Sequence, residues 1–256
     1  MSKILVTLIG GPTALIEIAG FRLLTDPTFD GPGEYPLPHV TLKKTSRPAL
    51  APEEVGSIDA VLLSHDQHAD NLDHAGRLHL AKAARVLTTS AGARRLGGEA
   101  EGLTPWDRVD LIRPGGGRIR VTATPARHGP AGIEPLSGDV VGFVLEADQC
   151  PPVYITGDTV WFDGVADVAR RFPARLVLLF AGAAQTRGRF DLTMDTNDAI
   201  ETAHAFPQAT IVPVHTEGWA HFTQSRDDLE AAFRALGIAG RLRLLEPGVA
   251  TTIALD

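Results

Sequence analysis

The sequence predicts one domain, residues 1–256, that mixes β-strands and α-helices without the plain βαβ repeat of a Rossmann sheet. Three observations lead to this prediction. The 256 residues suffice for one large domain or two small ones, and they contain no internal repeat or low-complexity tract. The first part of the chain consists of short apolar segments joined by Gly and Pro turns. The remainder alternates buried-type strands with segments of helical spacing.

Three strands are predicted at the start of the chain. Residues 4–8, 14–18 and 21–24 are short and apolar, and Gly10-Gly11-Pro12 separates the first two. Residues 29–52, in contrast, are rich in Pro and Gly and have no periodic pattern. An aperiodic stretch of that length is usually a functional loop or a flap, so we expect it to help form a pocket.

Strands and helices alternate from residue 60 onward. Strands are predicted at residues 60–63, 85–88, 109–112, 119–124, 142–147, 153–156, 176–180 and 211–214. Helices are predicted at residues 75–84, 90–96, 165–172, 196–206 and 227–236, and two short strands are predicted to close the chain. Ser90 is a residue type that commonly caps the start of a helix.

Charge and cysteine content exclude several classes of protein. The chain has 24 Lys plus Arg against 31 Asp plus Glu, a formal net charge of −7, and no basic stripe, so nucleic-acid binding is not expected. Cys150 is the single cysteine, which excludes an intrachain disulfide and a zinc site built from several cysteines. We expect a cytoplasmic protein without an integral membrane segment. The N-terminus resembles a strand rather than a signal peptide, and no apolar run approaches the ~20 residues of a membrane-spanning helix.

Histidine and aspartate follow four of the predicted strands within a few positions. Such strand-to-loop junctions on a rigid scaffold are common places for active sites. Imidazole and carboxylate are the ligands that a catalytic zinc or a similar ion prefers, and such an ion lowers the pKa of a bound water to ~7. Side chains of these types occur within residues 64–71 and at His128, Asp158 and His215.

Two of the carboxylates have additional roles in this interpretation. Asp158 is suited to bridge two ions, because one carboxylate offers two oxygens. Asp70 is the candidate catalytic residue, which would bind a metal, orient the attacking water or take its proton. Trp219 and His221 follow the last motif, and we expect them to line the substrate pocket.

The order of these motifs resembles the metallo-β-lactamase superfamily of metal-dependent hydrolases, over nearly the whole chain. The branch that it resembles most contains L-ascorbate-6-phosphate lactonase and N-acylphosphatidylethanolamine phospholipase D. The matching segments are Gly11 to Ile18 with Leu24-Thr25-Asp26-Pro27, Ser64 to Asp73, Thr124 to His128, Thr156-Gly157-Asp158-Thr159 and Val214-His215.

The resemblance implies an α+β fold, a four-layer αββα sandwich in which two mixed sheets pack face to face with helices on the outer faces. It implies that His128, Asp158 and His215 bind metal and that the first motif supplies the remaining ligands. It also implies hydrolysis of an ester, lactone or phosphodiester bond in a small molecule by metal-bound hydroxide. The expected cofactor is one or two Zn²⁺ ions, with Mn²⁺ as the alternative.

The first motif departs from the family pattern His-x-His-x-Asp-His. Asn71 stands where the third His belongs. The first ligand is either His65, with one residue inserted, or Asp66, and an alignment from the front pairs His65 with Gln67 instead. We favour His65 with His68, because this choice keeps two imidazoles. Because a neutral amide is a poor zinc ligand, the second ion site is expected to be weak or adapted to a harder ion.

Two other classes of function remain open at this stage. A degenerate family member would bind a metal or ligand without turnover, which Gln67 and Asn71 favour. A nuclease is disfavoured by the acidic net charge. The sequence leaves a homo-oligomeric assembly open.

Overall fold

The computed structural model describes residues 3–113 and 116–255. Its described strands are β1 Lys3–Gly10, β2 Thr13–Ile18, β3 Phe21–Thr25, β4 Gly33–Pro36, β5 Thr41–Lys44, β6 Ala60–Leu62, β7 Val86–Thr89, β8 Ala100–Leu103, β9 Arg108–Ile112, β10 Arg118–Pro125, β11 Val141–Ala147, β12 Cys150–Ile155, β13 Leu176–Phe180, β14 Thr210–Val214 and β15 Thr251–Ala254. Its described α-helices are α1 His74–His79, α2 Ser90–Leu96, α3 Glu134–Ser137, α4 Asp163–Arg171, α5 Thr196–Ala205 and α6 Arg226–Ala235.

Two large sheets organise the described residues. The first sheet has seven strands in the order β15-β1-β2-β3-β6-β7-β8, and the second has six in the order β14-β13-β12-β11-β10-β9. Both sheets are mixed: β1, β2 and β3 pair antiparallel while β3, β6, β7 and β8 pair parallel. In the second sheet β9 to β12 pair antiparallel, and β12, β13 and β14 pair parallel. Strands β4 and β5 form a separate hairpin.

The two sheets pack face to face because one hydrophobic cluster contains side chains from both, such as Ile16 of β2 and Phe143 of β11. Successive side chains of a strand point to opposite faces. In β13, Leu178 belongs to this central cluster, whereas Leu179 packs with helical residues on the outer face. That outer cluster also contains Val168 of α4, with side chains from α5 and α6.

The outer face of the first sheet is covered in the same way. Its cluster joins Leu24 of β3 and Val61 of β6 to Val55 and Leu72 from the following segments, with Ala75 of α1 packed against it. The order of layers is therefore helix, sheet, sheet and helix. This confirms the predicted αββα sandwich of two mixed sheets with helices outside.

Several element predictions need correction. The segment 29–52 contains the hairpin β4–β5, and the predicted helix 75–84 ends as an α-helix at His79 and continues as a 3₁₀ turn, Leu80–Lys82. Strand β8 was not predicted, because its sequence, Ala100–Leu103, is not a typical strand pattern. Only one of the two predicted closing strands is present in the described residues, since Leu242 forms an isolated bridge with Ile211. Within residues 3–113 and 116–255, no helix combines the length and apolar character required to cross a bilayer.

Candidate metal centre

The ends of four strands meet at one edge of the sandwich. Strands β10, β12 and β14 run in the same direction in the second sheet, so the loops that follow them start at a common edge. His128, Asp158 and His215 lie within these loops. The loop after β6 of the first sheet contains residues 65–70 and reaches the same edge. The donor atoms of His65 and His68 lie beside His128, and those of Asp70 lie beside Asp158 and His215.

Three imidazoles form the first donor cluster. The Nε2 atom of His65 lies 2.8 Å from Nδ1 of His68, and Nε2 of His128 lies 3.1 Å from that same Nδ1. His128 is oriented by its other nitrogen, since Nδ1 donates to the Leu192 carbonyl over 2.7 Å. The Nδ1 atom of His65 is 3.0 Å from the Ser64 hydroxyl. Each of these outer contacts leaves a ring nitrogen directed at the shared centre.

Asp70, Asp158 and His215 form the second donor cluster. The Oδ2 atom of Asp70 lies 3.5 Å from Nε2 of His215. Asp158 lies between the two clusters, with Oδ1 3.6 Å from Nε2 of His215 and Oδ2 3.7 Å from Nε2 of His128. Both carboxylate oxygens of Asp158 are buried and have no hydrogen-bond partner among the described residues.

The protonation states of these groups suit a cation. Burial lowers the pKa of His65 well below 6.5, and burial together with the neighbouring His68 lowers the pKa of His128 to about 3, so these rings are neutral with a free lone pair. Burial, with the carboxylates of Asp70 and Asp26 nearby, raises the pKa of Asp158 well above 3.8. A divalent ion would reverse that penalty, because it compensates the buried charge and occupies the unpartnered oxygens. The donor set therefore fits Zn²⁺ or a related ion.

The alternative ligands in the first motif point away from the centre. Asp66 is paired with Arg95, whose Nε lies 3.0 Å from Oδ2. Gln67 is exposed and lies against Gly138, where a Cβ would meet its side chain at 1.9 Å. The arrangement thus favours His65 and His68 as the imidazole pair of this motif.

Asp26 supports the motif from behind. Its carboxylate accepts hydrogen bonds from the Ser64 backbone N–H and hydroxyl, both at 2.6 Å, and from Nδ2 of Asn71 at 3.1 Å. Burial raises its pKa to about 7, against the effect of these donors. Asp26 has φ +25° and His215 has φ +57°, both unusual for residues with a side chain. Such strain is commonly found at functional sites. Asp26 lies in the segment Leu24-Thr25-Asp26-Pro27 that matches the family's opening hairpin, but nothing in the sequence assigned it this supporting role.

The two residues predicted to bind substrate have different surroundings. His221 lines the cavity beside the centre, and its Nε2 lies 2.9 Å from Oδ2 of Asp70. Trp219 is buried behind it, with its ring 6.0 Å from the His221 ring and 5.3 Å from the Tyr35 ring, centroid to centroid. Trp219 is not among the described residues that line the cavity.

The cavity over the centre is narrow, about 20 Å³, room for about one water molecule. His68, Asp70, His128 and His221 form its floor, and side chains from three other segments complete it. Segment 29–52 contributes Leu37, His39 and Leu42, as its composition predicted, and the remaining lining residues are Ser137, Ala184, Thr186, Arg187 and Leu192. Ser137, Ala184, Thr186 and Leu192 carried little sequence signal for this role.

Comparisons with known proteins show which family the chain resembles. The family model described as "Beta-lactamase superfamily domain" matches residues 21–216, more than half of the chain. The chain belongs to the metallo-β-lactamase superfamily. It is 27% identical to the UPF0173 protein YddR of Bacillus subtilis, over 96% of this chain and 99% of that protein. It is 26% identical to a UPF0173 metal-dependent hydrolase of Carboxydothermus hydrogenoformans, over 95% of this chain and 97% of that protein.

Two solved structures have the same fold as this chain. An isothiocyanate hydrolase from Delia radicum gut bacteria aligns with a TM-score of 0.80 and 25% identity over 98% of both chains. A "possible metal-dependent hydrolase" from Veillonella parvula aligns with a TM-score of 0.84 and 23% identity over 99% of both chains. The predicted class, a metal-dependent hydrolase of the metallo-β-lactamase superfamily, is confirmed at this level.

Proposed function

We propose that this protein uses a two-ion centre to hydrolyse an ester, lactone or phosphodiester type of bond in a small molecule. The observation that carries the proposal is the position of Asp158. One of its buried, unpartnered oxygens faces each donor cluster, at 3.7 Å from His128 Nε2 and 3.6 Å from His215 Nε2. Most buried polar atoms that only stabilise a fold have a hydrogen-bond partner, so two unpartnered oxygens on one buried carboxylate favour a ligand role.

The ligand assignment follows from these distances. The first ion would be held by the three-imidazole cluster, the second by Asp70 and His215, and Asp158 would bridge the two. Zn²⁺ is the expected metal, and Mn²⁺ is the alternative. Divalent ions in this centre would make an ionised water available at neutral pH and stabilise the negative charge that develops on the substrate oxygen.

The protein's own side chains provide orientation and exclude bulk water. Asp70 is buried, and its Oδ2 contacts His215 and His221, so the carboxylate is held in place to orient a water above the centre. Although burial disfavours its charge, contacts with His221 and His215 hold the pKa of Asp70 well below 3.8. Leu42 and Leu192 are among the apolar side chains that line the narrow cavity, which suits a small substrate.

The type of bond is inferred from resemblance within the superfamily. The motifs resemble those of L-ascorbate-6-phosphate lactonase and N-acylphosphatidylethanolamine phospholipase D. The aligned isothiocyanate hydrolase adds a further electrophilic carbon to the substrates worth testing. All of these reactions begin with water attacking an electrophilic carbon or phosphorus, which a two-ion centre promotes.

The test is metal content per chain, measured by elemental analysis on native protein and on Asp158→Ala, together with turnover of an ester, lactone, phosphodiester and isothiocyanate panel. Asp167→Ala is the matched control, because Asp167 lies on α4 and pairs with Arg170. We expect about two ions in the native protein and the control, and loss of metal and activity in Asp158→Ala with circular dichroism unchanged. Full metal content in Asp158→Ala would refute the assignment. Metal without turnover of any substrate would favour a binding module.

A further inference from the structure

The second donor cluster lacks the imidazole that the family pattern places after Asp70. Asn71 occupies that position, and its amide nitrogen is held by Asp26 at 3.1 Å. Its amide oxygen is buried and has no hydrogen-bond partner among the described residues. A neutral amide oxygen is a weaker zinc ligand than imidazole. The second ion would therefore have one imidazole, from His215, where the first has three.

His221 brings another imidazole to the same place from a distant part of the sequence. Its side chain is 7% exposed, and its Nε2 lies 2.9 Å from Oδ2 of Asp70. The same oxygen is 3.5 Å from Nε2 of His215. Two imidazole nitrogens thus face one carboxylate oxygen of the second cluster. The Nδ1 atom of His221 is buried and unpartnered among the described residues, so Nε2 is its point of contact with the site.

The backbone fixes His221 on both sides. Its carbonyl accepts a hydrogen bond from the Gln185 N–H at 3.0 Å, and the N–H of Ala220 donates to the Lys43 carbonyl at 2.9 Å. Trp219 forms a bridge with Lys44 of β5. These contacts position the backbone of His221, and the contact of Nε2 with Asp70 orients its ring, which is the preorganisation that a ligand from a loop requires.

We propose that His221 is a ligand of the second ion and supplies the imidazole that the motif lacks at Asn71. The second ion would then have four protein donors: Asp70, Asp158, His215 and His221. The first would also have four, its three imidazoles and Asp158. The exchange places an imidazole from the loop after β14 where the family pattern uses one from the loop after β6. This inference rests on the two-ion centre proposed above.

The experiment titrates Co²⁺ into metal-free protein and follows the visible absorption of the first and second equivalents. The variants are His221→Ala, the double variant His221→Ala/Asn71→His, and His204→Ala as a control, since His204 is exposed on α5. We expect His221→Ala to bind the first equivalent normally and the second at least ~100-fold more weakly. The double variant should recover second-site binding, and the control should match the native protein.

X-ray absorption of the Zn²⁺-loaded proteins separates a ligand from a residue that only orients Asp70. The native protein should show five imidazoles shared between two ions, and His221→Ala should show four when loaded at high Zn²⁺. Four imidazoles in both proteins, or an unchanged second Co²⁺ affinity in His221→Ala, would overturn the role of His221 alone. A native protein that binds one ion would overturn the two-ion centre itself.

Discussion

Replacement of Lys44 by methionine tests how segment 29–52 is fastened to the metal motif. The Nζ atom of Lys44 lies 2.8 Å from Oδ2 of Asp73, with the two side chains 5% and 0% exposed. Asp73 also accepts backbone N–H bonds from Phe29, Asp30 and Gly76, at 2.9, 2.7 and 2.8 Å, and caps α1. One buried carboxylate thus joins the end of the first motif to residues before the β4–β5 hairpin and to the last residue of β5.

Removing one partner of a buried ion pair costs about 3–5 kcal/mol, because a charge is left buried without compensation. Three backbone N–H donors remain on Asp73 in Lys44→Met and partly compensate its charge. We therefore expect a loss at the lower end of this range, about 3 kcal/mol of the free energy of unfolding. In a chain of this length each kcal/mol lowers the Tm by about 2–4 °C. The Tm of Lys44→Met should therefore fall by about 6–12 °C.

Urea unfolding of metal-free protein at 25 °C is the appropriate assay, since ligand binding would otherwise add to the measured stability. Lys43→Met is the matched control, because the neighbouring Lys43 pairs with Glu34 at the surface, with side chains 57% and 63% exposed. It should change the free energy of unfolding by less than about 0.5 kcal/mol. Equal losses in the two variants, or a loss below about 1 kcal/mol in Lys44→Met, would refute the reasoning. A cycle with Asp73→Asn should give a coupling energy of at least about 1 kcal/mol.

Three further predictions follow from other residues. Gly157→Ala should lower the free energy of unfolding by about 2–4 kcal/mol and lose much of its metal affinity, because Gly157 has φ +62° and a Cβ would lie 2.7 Å from the Val141 carbonyl oxygen. Gly98 has φ +60° but open space around it, so Gly98→Ala should lose only about 1–2 kcal/mol in the same urea assay. Burial raises the pKa of Asp198 from 3.8 to about 6, so the folded state binds this proton more tightly than the unfolded state does. The stability that Asp198 contributes therefore falls as pH rises from about 4 to 6. Asp198→Asn should lack this contribution when the free energy of unfolding is compared at about pH 4 and pH 7. Arg187 lines the cavity, so Arg187→Ala should raise the KM of an anionic substrate by roughly 3- to 10-fold and leave the KM of a neutral substrate unchanged. Equal effects on the two substrates would contradict a direct contact between Arg187 and the anion.

Local sequence patterns predicted the strands and helices that pack on the core, but not the elements that depend on distant partners. Strand β13 was predictable because Leu176–Phe180 is a continuous apolar run, buried on both faces. The β4–β5 hairpin was not, because its residues are mostly exposed and its sequence is dominated by Pro and Gly turns. Helix α3, four residues long, is too short for a periodic pattern to reveal.

The same limit applies to the metal centre. Residue types, their positions after strands and the resemblance to a known superfamily together selected donors that converge there, such as His128 and Asp158. The direction of a loop side chain depends instead on its tertiary partner. The choice between His65 and Asp66 required the ion pair with Arg95, which lies 29 residues further along the chain. The contact of Asp70 with His221 spans 151 residues, and no local pattern encodes it.

Convergence of donors from both sheets would give a bound metal a mechanical role. His65 and His68 follow β6 of the first sheet, whereas Asp158 and His215 follow strands of the second. An ion held by both sets would cross-link the two sheets at this edge, in a chain whose single cysteine rules out an intrachain disulfide. Binding at a thousandfold excess over Kd adds about 4 kcal/mol to the stability of the folded state. Loss of the metal would therefore abolish hydrolysis and also favour local unfolding at this edge of the sandwich, which would make the chain more susceptible to proteolysis.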